Sequence, residues 1–194
     1  IATEFEAAGL EVERQELWIY LPVFERASVE IIAPERVELP LSERAVEGDA
    51  YAGGEDSTPG WNAWSGSGVA EGEVVYANYG TKGDFERLAS MGVDVRGKVV
   101  IARYGGNFRG YKAKFAEAAG AAGLIIYSDP ADSGYAKGLV HPEGGWANEW
   151  AIQRGSVLTL PYSGDPLTPG WPAVKDANRI EPGLLDLPKI PVQP

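Results

Sequence analysis

Between Gly72 and Pro130 the chain runs through five segments that alternate between strand-like and helix-like patterning, and no other feature restricts its fold so strongly. "GEVVYANYG" (Gly72–Gly80) is a short β-rich run. "DFERLASMG" (Asp84–Gly92) carries Phe85, Leu88 and Ala89 on one helical face, with Asp84 as N-cap and Gly92 as the stop. "RGKVVIARYG" then reads as a buried strand centred on Lys98–Ala102. Tyr111–Ala122 reads as a second helix, with Tyr111, Phe115, Ala118, Ala119 and Ala122 sharing a face, and "GLIIYSDP" (Gly123–Pro130) as a strand closed by a turn. Strand, helix, strand, helix, strand is the order of an α/β unit with at least partly parallel pairing.

The flanks are less regular. Gly9 looks like the residue that ends a helix, but only about two turns precede it, which is marginal alone. The helix is therefore expected to begin upstream, and the chain to be a piece of a longer protein. Residues 10–21 read as a strand, and "ASVEIIAP" (Ala27–Pro34) as another ended by proline. Residues 35–60 are polar and acidic and read as a loop or linker. From Gly155, "GSVLTLPYSGDPLTPGWP" returns to a strand followed by proline-rich turns. The 25 glycines and 14 prolines suit many turns and short strands rather than a helical bundle.

Charge and composition exclude several function classes. A formal net charge of -11 argues against general nucleic-acid binding. The chain has no cysteine, which rules out disulfides and thiolate metal sites. No run approaches the roughly 18 apolar residues of a membrane span.

The stretch "RYGGNFRGYKAKFAEAAG" (Arg103–Gly120) resembles a phosphate loop and fails as one. Gly105 and Gly110 have the Walker spacing, but Tyr111 and Lys112 stand where Lys and Ser/Thr must meet phosphate and magnesium. Asn107 likewise replaces the second glycine of a dinucleotide fingerprint. Arg109, Lys112 and Lys114 still cluster at a helix start, where cations are unfavourable and a bound carboxylate would be welcome. Lys112 and Lys114 read as solvated surface residues, with Glu117 an i+3 partner for Lys114. Arg109 lies in the turn itself, where ligand contact and structural pinning are both open. His141, the single histidine, sits in a surface-type loop, and the acidic residues lack metal-ligand spacing. "SGSG" (Ser65–Gly68) lacks the nucleophile-elbow pattern, so no catalytic residue is assigned. Trp146 and Trp150, flanking "ANE", read as staples for a long glycine-rich loop.

Taken in order, "VVYANYG", "DFERL", "GKVVIARYG", "FRG", "AAGAAGLIIYSDPAD", "QRGS" and "GDPLTPGWPA" resemble the protease-associated domain of the glutamate carboxypeptidase and transferrin receptor family of zinc peptidases, over Trp61–Ala173. The resemblance implies a β/β/α protease-associated (apical) domain with a central mixed sheet and flanking helices. It implies three parts: residues 1–60 as the segment leading in from a peptidase domain, 61–180 as the protease-associated domain, and 181–194 as the junction back to the peptidase. In such proteins the zinc ligands and the general-base Glu lie downstream of that junction. The fragment itself would hold no cofactor, while its parent would carry two zinc ions and a calcium ion.

Residue by residue, Arg109 matches an arginine that contacts the substrate's C-terminal carboxylate. Ser156 stands where the glutamate carboxypeptidases have an Asn that helps recognise the glutamate side chain, so strict glutamate specificity is not implied. Thr168 and Trp171 match two contributors to a structural calcium site, Trp171 through its backbone carbonyl only. The implied partners are a peptide substrate, the chain's own peptidase domain and, in the parent, a second copy. The implied location is extracellular, secreted or in the cell envelope. The alternative within the family is a scaffold ectodomain, as in transferrin receptors, where the fold serves partner binding and dimerisation.

Overall fold

A computed structural model describes residues 1–51 and 58–194. The end of the predicted acidic loop, residues 52–57, lies outside the described residues. In chain order the elements are α1 (Ala2–Ala7), β1 (Val29–Ile31), β2 (Val37–Leu39), β3 (Asn62–Ala63), β4 (Val74–Tyr76), α2 (Lys82–Ser90), β5 (Val99–Arg103), α3 (Arg109–Ala118), β6 (Gly123–Tyr127), α4 (Pro130–Ser133), β7 (Gly155–Ser156) and β8 (Val192–Gln193). The chain divides into two compact units. One comprises Ile1–Leu21 with Leu160–Asp186, and the other Pro22–Thr159 with Leu187–Pro194.

The larger unit is built on a four-stranded sheet in the order β4-β5-β6-β8, parallel throughout. The β4–α2–β5–α3–β6 run is the alternation legible between Gly72 and Pro130, and its class is α/β. Antiparallel pairing also occurs, in the separate β1–β2 ribbon, and β3 pairs with β7 in a second short parallel ladder. Central β5 buries Val100 and Ala102 completely, and β6 contributes Leu124 and Ile126. Its sheet neighbour β8 adds Val192, also fully buried. Strands enclosed by helices and neighbours read as near-continuous apolar runs, as "KVVIA" and "GLII" do.

Besides β2 (Val37–Leu39), which falls inside the segment expected to be a loop and pairs there with β1, three local expectations are corrected. Residues 10–21 form no strand: the apolar alternation is there, but no ladder partner is found among the described residues, and Leu17, Trp18 and Ile19 stay exposed. Only single contacts hold this segment, such as Trp18 N–H to the Ala173 carbonyl at 2.6 Å. Helix α2 begins three residues earlier than expected, at Lys82, and its N-cap is Thr81. Asp84 is instead the third helical residue, closing a capping box: Asp84 N–H donates to Thr81 Oγ1 at 3.2 Å and Thr81 N–H to Asp84 Oδ2 at 2.9 Å.

The third correction concerns α3. Its buried residues are Gly110, Lys112, Ala113 and Ala116, not the aromatic row. Gly110, Ala113 and Ala116 are the small residues of its inner face, and Lys112 lies fully buried beside them. Exposed Phe108 and Tyr111 meet edge to face and Tyr111 stacks on Phe115, with ring centroids 6.1 Å apart in both pairs, while Phe115 is half-buried against the core. Lys112, expected on the surface, is fully buried, whereas Lys114 is exposed as expected.

The loop after α4 is fastened by its tryptophans. Lys137 Nζ lies 4.9 Å from the Trp146 ring centroid, and the Arg44 guanidinium 3.4 Å from that of Trp150. His141 is surface-exposed, with its imidazole 3.8 Å from the Asp49 carboxylate.

Candidate functional site

Open parallel sheets gather polar groups at and beyond the carboxyl ends of their strands, and two arginines stand at and just past the end of β5. Arg103, its last residue, is fully committed. It donates to Asn78 Oδ1 at 2.8 Å, lies 3.3 Å from Asp132 and 3.6 Å from Asp129, and stacks 4.0 Å from the Tyr79 ring centroid. The Tyr79 hydroxyl donates to Asp132 at 2.8 Å, so this network is closed on itself.

Arg109 is different. It is the first residue of α3, and two glycines make its position accessible. At Gly110 a Cβ would lie 2.6 Å from the Val157 carbonyl oxygen, so glycine lets the helix start directly against the chain just after β7. At Gly155 a Cβ would lie 2.0 Å from Arg109 Nη1 and 2.4 Å from Cζ, so the guanidinium fills the space a side chain would need. The third wall is Tyr104, whose ring centroid is 5.4 Å from Arg109 Cζ and whose hydroxyl donates to the Gln153 carbonyl at 2.6 Å. Burial pushes the Tyr104 pKa up, and the adjacent guanidinium opposes that shift. Among the described residues no carboxylate pairs with Arg109, and its buried Nε has no hydrogen-bond partner.

A further residue here was not singled out from the sequence. Asn62 pairs in register with Gly155, so its side chain leaves the β3–β7 ladder on the face that Arg109 occupies. It is fully buried, and neither amide atom has a partner among the described residues. Asn62 faces the Tyr104 hydroxyl without forming a well-aligned hydrogen bond. In "WNAW" nothing distinguishes such an asparagine from a turn residue; only the register exposes it.

Ser156, the residue after Gly155, is half-buried, and its Oγ accepts from Leu158 N–H at 3.0 Å. Its hydroxyl proton is thereby left to donate elsewhere, and no hydrogen bond joins it to Arg109 among the described residues.

The remaining two predicted site residues belong to the smaller unit. Thr168 is 1% exposed, and its Oγ1 has no partner. An orphaned buried hydroxyl fits the all-oxygen coordination that calcium takes. Trp171 donates its N–H to the Thr168 carbonyl at 3.1 Å and keeps its indole exposed. Among the described residues no group of three or more His, Cys, Asp or Glu could hold a metal ion, so these residues offer at most part of such a site. No helix among them is long and apolar enough to cross a membrane.

Residues 70–158, which carry β4 through β7 and Arg109, form a PA (protease-associated) domain. It is the kind found in glutamate carboxypeptidase-like proteins. The chain is 46% identical over 136 residues to a probable glutamate carboxypeptidase of Arthroderma benhamiae, covering 68% of this chain and 19% of that protein. It is 38% identical over 138 residues to aminopeptidase NAALADL1 of Mus musculus, covering 68% and 18%. With probable glutamate carboxypeptidase AMP1 of Arabidopsis thaliana the match extends over the whole chain, at 34% identity and 25% of that protein's length. The chain thus spans a quarter or less of each of these relatives.

Proposed function

We propose that this PA domain belongs to a zinc-dependent, carboxypeptidase-like exopeptidase and that Arg109 binds the C-terminal carboxylate of its peptide substrate. One observation carries the reading: beside a committed Arg103 stands an arginine with no acidic partner among the described residues, braced by Tyr104 and by the space at Gly155. A guanidinium presents planar, paired N–H donors that match a carboxylate, and anchoring at one nitrogen face leaves the others to bind. Ser156, one residue from Gly155, would shape the neighbouring side-chain pocket with its free hydroxyl donor.

In this reading the PA domain performs no bond-breaking step. It orients the peptide terminus and walls the channel against water. The catalytic zinc ions would be held by a peptidase domain, the chain's first partner, whose zinc supplies Lewis-acid chemistry to hydrolysis. Calcium would use the Thr168 hydroxyl and the Trp171 carbonyl with acidic ligands from that domain. An extracellular setting and pairing of two copies complete the proposal.

Its test is substrate selectivity in the whole protein. Peptides with free and amidated C-termini are compared, with N-blocked peptides included because one relative is named an aminopeptidase. The unmodified protein should favour the free carboxylate. Arg109→Ala should remove a charge-assisted pair of about 1.5–3 kcal/mol, raising KM roughly 10- to 100-fold with little change in kcat. Equal cleavage of amide and acid by the unmodified protein would refute the carboxylate role, and no hydrolysis at all would favour a scaffold.

A further inference from the structure

The turn that leads into Arg109 holds itself by a single internal backbone bond, Asn107 N–H to the Gly105 carbonyl at 2.8 Å. Between the end of β5 and the start of α3 run Tyr104, Gly105, Gly106, Asn107 and Phe108. Gly105 and Gly106 adopt φ of +93° and +73°, a region that glycine enters freely and leaves as freely. Neither can contribute a side chain to fix the turn. Apart from that bond and a long 3.4 Å contact from Asn107 Nδ2 to the Gly80 carbonyl, what fixes it comes from behind, one helical turn after Arg109.

Lys112 is fully buried, and its ammonium meets three oxygens. Nζ donates to the Gly105 carbonyl at 2.7 Å, to Asn107 Oδ1 at 2.7 Å and to the Tyr79 carbonyl at 2.5 Å. Three N–H donors thus face three acceptors, which satisfies the group completely. Two of the acceptors belong to the Arg109 turn, and the third belongs to the turn after β4. The cage is closely packed: at Gly80 a Cβ would lie 3.3 Å from Lys112 Cβ, and at Gly106 one would lie 2.8 Å from Tyr79 Cβ. We propose that Lys112 is a positioning residue, whose ammonium locks the Gly105–Phe108 turn and so sets the orientation of Arg109 toward its ligand. The functional half of this proposal rests on the carboxylate reading of Arg109; the positional half stands without it.

The groups facing Lys112 define how the lock can be opened. On α3's own turn they are the Gly105 carbonyl and the Asn107 amide. From the β4 side come the Tyr79 carbonyl and, 6.0 Å from Nζ, the Tyr79 ring, on which Arg103 also stacks. The charged group on α2 is Asp84, which favours the ammonium. Burial outweighs that attraction and lowers the Lys112 pKa to about 8. A neutral amine has two N–H donors and a lone pair. Once the proton leaves, one of the three oxygens loses its partner, and the turn loses a tether.

The test follows the isotope-labelled chain by NMR between about pH 6.5 and 9.5. Lys112 Cε reports the titration, while the Gly106 amide and Arg109 Cζ report the turn and the clamp. All three should move with one midpoint. Lys112→Met should abolish the common inflection. Asn107→Asp keeps the lysine buried and sets a carboxylate in its cage, so it should raise every midpoint together, by about one pH unit. If Arg109 and Gly106 stay still while Lys112 titrates, or do not follow the Asn107→Asp shift, the positioning role is wrong, whether or not Lys112→Met folds. In the whole protein, preference for free over amidated peptides should fall across the same midpoint. A protein that never discriminates would refute the carboxylate reading instead, and NMR co-titration would still decide the role of Lys112.

Discussion

Gly155 is where one missing methyl group matters most. Its Cα sits in a short strand, yet the volume above it belongs to the guanidinium of Arg109, 2.0 Å from where a Cβ would stand. The colliding atoms end a flexible side chain, so Gly155→Ala should leave the fold intact and evict the arginine. Stability should change by less than about 1 kcal/mol in urea titration. Free-carboxylate preference in the whole protein should nevertheless fall nearly as far as in Arg109→Ala. A variant that retained full preference would show that Arg109 does not need this seat. The unpartnered amide of Asn62 on the same face has a related meaning. Burying a carboxamide without partners costs stability, so its presence beside Arg109 is hard to explain by packing alone.

At the scale of elements, the Thr81–Asp84 capping box gives α2 a defined start. Removing it in Thr81→Ala should cost about 1 kcal/mol, measured by chemical denaturation. The effect should depend on acidity. Burial pushes the Asp84 pKa up, but hydrogen bonds from Asn78 and Thr81 outweigh it, and the net value lies below the usual carboxylate range. A depressed folded-state pKa contributes stability that is present above the ordinary carboxylate value and lost as pH falls through the lower one. The gap between wild type and Thr81→Ala should therefore narrow below about pH 4.

The helices and parallel strands from β4 to β6 were legible because each repeats its period over a full element. The inner face of α3 was not. Periodicity groups Tyr111 with Phe115 and cannot tell which neighbours each will meet: Tyr111 is exposed and Phe115 only half-buried against the core, while Gly110, Lys112, Ala113 and Ala116 are buried. Lys112 was misread for the same reason: a lysine's burial depends on which carbonyls surround it, and two of its three are supplied by backbone, which has no signature in sequence. Residues 10–21 failed in the opposite direction, since alternation can propose a strand but cannot supply its neighbour. Arg109 could be singled out from its place at a helix start and from the "FRG" resemblance, while Asn62 depended on register with Gly155.

For the larger unit as a whole, the sheet is closed late. Strands β4, β5 and β6 follow one another within 54 residues, Val74–Tyr127, but the neighbour of β6 is β8, at Val192–Gln193. Val192 is fully buried, so Val192→Asp should destabilise this unit by roughly 3 kcal/mol or more through an unpaired buried charge, with soluble yield and melting temperature as the readouts. A near-wild-type melting temperature would mean that β8 is dispensable.

That late closure also sets a schedule for synthesis. At about 5–20 residues per second, the roughly 65 residues between Tyr127 and Val192 take several seconds to translate. For that interval the newborn chain carries Leu124 and Ile126 on a strand with one bare flank, on which any passing extended peptide could template itself. The ribosome, and whatever attends its exit, must therefore keep an unfinished sheet out of bad company until its last strand arrives.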